Sequence, residues 1–243
     1  MVPRDAGGFA GGGGATADGA SVAGDAVVVP TDDWLFLYLP RRGVPPAYLW
    51  VLGCLVVASV AVLRLGGLPL GSLDAAHGHL FFLGAAFLLM EVHAINRLAL
   101  LFGTVWLVSG VTIAVVLLLI VAANFTVMRF PRLPYGLAYA GLAVSLGVSY
   151  WIEPSLVVGL GTAAELAFSF VLLSPVFFAG LVFARSFGAA PLAAPAMGAN
   201  ILGSVLGGWV EYGTMLTGVR GLVLVAAGFY ALSLLMLVVA RRH

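Results

Sequence analysis

Seven apolar stretches, each close to the ~20 residues that a helix needs to cross the hydrocarbon core of a bilayer, fill this chain from about residue 47 to residue 240. They fall at about 47–64, 79–101, 104–128, 134–152, 157–184, 195–217 and 220–240. The breaks between them are short and carry helix-breaking residues, such as Gly66-Gly67-Leu68-Pro69 and Pro131-Arg132-Leu133-Pro134. Pro175 lies inside the fifth and longest stretch, where its missing N–H predicts a kink. With 62% hydrophobic and only 9% charged residues, the chain is far from the ~25% charge of a soluble domain. The fold class expected is all-α, a polytopic transmembrane helical bundle of about seven spans occupying residues 47–243.

Two segments precede the bundle. Residues 1–31 are a Gly/Ala-rich tail that includes Gly11 to Gly14. Such a composition buries too little to offset its ordering entropy, so it is expected to be flexible unless a partner holds it. Its start is followed by glycine and not by an apolar run, so the first span is expected to serve as the insertion signal. Residues 32–46 read as an interfacial segment, with Trp34, Phe36 and Tyr38 at headgroup level followed by Arg41 and Arg42. The single cysteine, Cys54, excludes an intrachain disulfide framework and a cysteine metal site. A net charge of +1 excludes a nucleic-acid surface.

All eleven basic residues are arginine. Arg64, Arg129, Arg132, Arg185, Arg241 and Arg242 fall on one side of a seven-span layout. Arg41, Arg42 and Arg220 fall on the other with Asp32, Asp33 and Glu153. The positive-inside rule then places the C-terminus in the cytoplasm of a bacterial inner membrane and the tail outside.

Ionisable groups at membrane depth are costly unless paired or wet, which makes each a functional candidate. The second span carries Glu91, His93, Asn96 and Arg97, with Glu91 about 18 Å from the start of that stretch. Glu165 and Glu211 are expected about two turns inside the fifth and sixth spans, from the same face of the membrane. His93, Asn96 and Arg97 share one helix face, while Glu91 is rotated by about 120° from Arg97 and points to a different neighbour. Arg97 is a candidate to neutralise one carboxylate, leaving the others protonated or paired with His93. A polar pathway and a structural polar network both fit this set. His93 also has a less frequent reading, as an axial ligand to haem or chlorin. His77 and His79 lack the partners of a metal site, so none is expected.

The sixth span holds a packing signal. Ala199, Gly203 and Gly207 recur every four residues with Asn200 beside them, a row that lets a neighbouring helix approach closely. Nucleotide loops, nucleophile elbows and zinc motifs are absent from the sequence, so no enzymatic activity is expected.

The segments Gly84-Ala85-Ala86-x-x-Leu89-x-Glu91, Leu101-Phe102-Gly103 and Gly198-Ala199-Asn200-x-Leu202-Gly203 resemble the membrane region of bacterial spermidine synthase-like integral membrane proteins. Thr31-Asp32-Asp33 resembles the stretch that closes that family's catalytic domain, although Leu35 stands where its proline would be. The resemblance covers about residues 30–240 and implies membrane architecture only, with Glu91 as the intramembrane carboxylate and Asn200 and Gly203 in packing. No counterpart of the catalytic domain is present in this sequence.

The function expected is that of a non-enzymatic membrane subunit, anchoring or stabilising a larger assembly such as an energy-transducing one, with the tail lying on a partner. A carrier of small cationic solutes using Glu91, Glu165 and Glu211 is the alternative. A membrane module for a catalytic domain on another chain is a third.

Overall fold

The computed structural model describes Asp33, residues 43–65 and residues 74–242, and every regular element among them is helical. The tail and the anchors Trp34, Phe36, Tyr38, Arg41 and Arg42 lie outside the described residues. The helices are α1 (Pro46–Leu65), α2 (Ala75–Phe102), α3 (Val105–Arg129), α4 (Tyr135–Trp151), α5 (Thr162–Leu172), α6 (Ser174–Gly188), α7 (Ala193–Glu211), α8 (Thr214–Thr217) and α9 (Arg220–Ala240).

Three of these, α2, α3 from Trp106 onward and α9, are long and apolar enough to cross a membrane, and α5 with α6 makes a fourth if the bent pair is one span. The seven stretches read from the sequence therefore reduce to three or four helices that meet this measure. α4 is short, at 17 residues. The apolarity of α7 is diluted by Asn200 and four glycines, residues suited to touching protein.

α2 is the centre of the bundle. In its most apolar window 56% of residues are buried, against 28% for α3 and 33% for α9. Its start is set by Asp74, whose side chain accepts the backbone N–H of His77, and its end by Gly103 in the left-handed region. The His77 backbone N–H, followed by the His77 side chain, holds the Asp74 carboxyl below its usual value of 3.8. A lowered folded pKa means that the cap contributes fully above the unfolded value and is lost as pH falls through the folded one. Asp74→Ala is expected to cost about 0.5 kcal/mol at neutral pH, with the thermal unfolding curves of the two proteins converging in acid.

The fifth span is broken. α5 and α6 meet at Leu173 with a bend of 41°. Pro175 has no N–H for the Val171 carbonyl, and Val176 N–H turns to Leu173 O at 2.9 Å. The two carbonyls thus released are both re-satisfied: Ser174 Oγ donates to Val171 O at 2.7 Å and Ser149 Oγ of α4 donates to Leu172 O at 2.8 Å. Serine hydroxyls at a broken helix are what an apolar surrounding requires, since no water is there to take the carbonyls.

Contacts fix the helix directions. Leu80 meets Asn200, Gly84 meets Ser204 and Leu88 lies by Gly208, so α2 and α7 are parallel. His79 meets Ser233 and His93 meets Val219, so α9 is antiparallel to α2. α2, α4 and α7 run one way, and α3, α6 and α9 the other.

Candidate functional site

Alternation of direction sorts the charges to two ends. At the starts of α2, α4 and α7 stand Arg129, Arg132, Arg185, Arg241 and Arg242 with one acid, Asp74. At the other end stand Asp33, Glu91, Glu153, Glu165 and Glu211 with Arg97 and Arg220.

The carboxylate-rich end is built on the first turn of α9. Asp33 accepts the Val219 N–H through its backbone carbonyl and the Arg220 N–H through Oδ1, both at 2.7 Å. A carboxylate at a helix N-terminus satisfies orphan donors and opposes the positive end of the dipole. Gly218, with φ +83°, provides the turn before it, and a Cβ there would press on the Asp33 carboxylate. Arg220, a cation at the unfavourable end of its helix, is ion-paired to Glu153. Asp33→Ala is expected to lower stability by about 1 kcal/mol, read as an earlier thermal transition of the detergent-solubilised protein.

Next to this cap lie the polar residues of α2. His93 has no exposed surface, and its Nδ1–H donates to Val219 O at 3.2 Å. Arg97 is 1% exposed and donates from a terminal nitrogen to Ile152 O at 2.8 Å, at the C-cap of α4, where a cation complements the helix dipole. Asn96 Nδ2 returns to its own helix, donating to Val92 O at 3.0 Å. His93 is enclosed, with Nε2 buried and without a hydrogen-bond partner among the described residues.

The carboxylates are placed differently from the sequence expectation. Glu165 is in the first turn of α5 and Glu211 is the last residue of α7, so neither lies two turns inside its helix. Glu91 continues the row Leu80, Gly84, Leu88 that faces α7, and Glu211 continues the facing row at the same level. Val219, just before α9, sits opposite His93, so Glu91 is close to the level where α7 ends and α9 begins. α2 simply runs on past its neighbours. Among the described residues no hydrogen bond or ion pair reaches these three carboxylates. They do not converge with His93 and Arg97, which face α4 and α9.

The α2–α7 seam is a contact of backbones. A Cβ on Gly203 would run into the Phe81 carbonyl, one on Gly84 into the Asn200 carbonyl, and one on Gly207 into the Ala85 carbonyl. Ala199 is buried in the same row. Asn200 Nδ2 donates to Leu80 O at 3.0 Å and Ser204 Oγ to Gly84 O at 3.2 Å. Polar side chains that bond the neighbour's backbone add direction to small-residue packing.

A second polar knot, at the arginine-rich end, is missing from the sequence reading. Ser233 Oγ donates to His79 O at 2.9 Å, and His79 Nδ1 faces Ser233 Oγ at 2.7 Å and Ser233 O at 3.0 Å. His79 Nε2 then accepts from Ser186 Oγ at 2.9 Å, and Tyr139 OH donates to Ser233 Oγ at 3.1 Å. Ser186 Oγ lies 3.3 Å from the Tyr135 hydroxyl. One imidazole thereby ties together α2, α4, α6 and α9. A lone serine inside the apolar α9 and a Tyr135/Tyr139 pair one turn apart were its only sequence traces. His77, by contrast, turns to Asp74. Among the described residues no three His, Cys, Asp or Glu side chains come together as a metal site.

No family model, curated protein or solved structure matches this chain.

Proposed function

We propose that the chain is a non-enzymatic integral membrane subunit of seven spans that joins a larger membrane assembly through α1. The carrying observation is the isolation of that helix. α1 is apolar along its length, yet Trp50 is 78% and Val57 69% exposed, and among the described residues its ring contact is Tyr48 on Tyr212 at 5.6 Å. α2 packs against α3, α5, α6, α7 and α9, while among the described residues Trp50 and Val57 of α1 are left exposed.

The seven-span reading draws support from the strict alternation of α2, α3, α4, α5–α6, α7 and α9, to which α1 adds one crossing. The arginine asymmetry supports a cytoplasmic C-terminus in a bacterial inner membrane. Affinity purification of the full chain in mild detergent tests the assembly: a stoichiometric membrane partner is expected, and a stable lone monomer counts against it. Replacing Trp50 and Val57 by alanine is expected to reduce partner recovery at least about tenfold while leaving the thermal transition unchanged, because α1 contributes little to the bundle.

A second reading, a carrier of small cationic solutes, draws on Glu91 and Glu211, which helical spacing puts on the α2–α7 rows and which have no hydrogen bond or ion pair among the described residues. It requires solute flux in proteoliposomes that Glu91→Gln abolishes. If the recovered partner carries an aminopropyltransferase-like domain, the spermidine synthase-like resemblance gains a functional meaning.

A further inference from the structure

The geometry points to a headgroup site for an anionic phospholipid, formed by Arg185, Arg241 and Tyr135 at the arginine-rich end. The guanidinium carbons of Arg185 and Arg241 lie 4.4 and 4.2 Å from the centroid of the same Tyr135 ring. Arg185 comes from the last turn of α6, Arg241 caps α9, and Tyr135 opens α4, so three helix ends converge on one spot. The ring is held in turn, since its hydroxyl lies by Ser186, which bonds the buried His79.

The ring gives each guanidinium a cation–π contact, and an anion beside it would complement both positive charges. Among the described residues no carboxylate and no carbonyl accepts from either guanidinium: the ion pairs are Asp74 with His77 and Glu153 with Arg220. Nη1 of Arg185 is buried with no hydrogen-bond partner, a state that costs free energy until an acceptor arrives. Arginines serving only as interfacial anchors would spread along the rim, whereas these two lie against one aromatic ring. The guanidinium fork suits the paired oxygens of a phosphate. Arg129, Arg132 and Arg242 on the same rim exclude a cation and favour a net negative headgroup. The site lies where the apolar helices α6 and α9 end and α4 begins, which favours a phospholipid headgroup over a soluble anion. The inference is independent of whether α1 binds a partner.

Native mass spectrometry of the full chain in neutral detergent, titrated with phosphatidylglycerol or phosphatidylcholine, tests it. Phosphatidylglycerol is expected to bind about tenfold more tightly than phosphatidylcholine, and R185Q/R241Q to remove that preference. R129Q/R132Q, an equal charge loss on the same rim, is expected to change affinity less than about twofold. R185K/R241K keeps both charges, guards against misfolding, and is expected to weaken binding by about threefold or more because the planar fork is gone. Equal affinity for the two lipids, equal losses in the two glutamine pairs, full retention in the lysine pair, or displacement of the lipid by millimolar inorganic phosphate would each overturn the site.

Discussion

Gly203→Leu is expected to be the most damaging single substitution in the bundle, lowering stability by about 3 kcal/mol or more. The side chain would have to enter the space held by the Phe81 carbonyl and backbone, which cannot swing away as a side-chain tip can. α2 and α7 would then separate, and the Asn200 and Ser204 bonds to Leu80 and Gly84 would go with them. Gly198→Leu is the matched control. It lies on the same helix, adds the same atoms, and its Cβ meets nothing within 4 Å, so a change within about 0.5 kcal/mol is expected. Reversible SDS titration of the purified chain, read by tryptophan fluorescence, distinguishes the two. Similar losses in both variants would show that α7 tolerates no bulk anywhere and that the seam is not special.

His79→Leu is expected to cost about 3 kcal/mol, although it adds apolar volume to an apolar helix. His79 is 1% exposed and bonds groups on α6 and α9. Removing it takes the imidazole acceptor from the Ser186 hydroxyl and the side-chain donor from the Ser233 carbonyl, in a place with little water. Ser233→Ala alone is expected to cost about 2 kcal/mol, and the double variant less than the sum, with a coupling of about 1 kcal/mol. Additive losses in the same titration would mean that the two residues act separately and that the knot is not a unit.

The helical class and the outline of the elements were legible because apolar length is a local property. The observed helices fall on the seven stretches, and the break beside Pro175 follows from one missing N–H. The row Ala199, Gly203, Gly207 was legible for the same reason, since its four-residue spacing needs only helical geometry. Gly84, Asn200 and Gly203 are all seam residues.

Depth and partnership were not legible. Measured along its own stretch, Glu91 appears deep in a span, yet α2 overruns α7 and α9, so the same residue lies near the level at which they end. Glu165 and Glu211 moved to helix ends for a related reason: Gly161 and Gly213 mark turns inside stretches that remain apolar on either side. The His79 knot depends on residues as far apart as 79, 186 and 233, and no local pattern ties a histidine to a serine across 154 positions.

The sequence by itself determined that this chain folds into apolar helices, where they break, and which face of α7 is small, because each follows from composition and spacing within a few turns. Only the tertiary structure decided which neighbour each polar group meets. It turned Arg97 to a helix-end carbonyl, His93 to the start of α9, and His79 to Ser186 and Ser233. The physical reason is that a polar group in an apolar bundle takes the nearest partner in space, and that distance is set by helix direction and overhang.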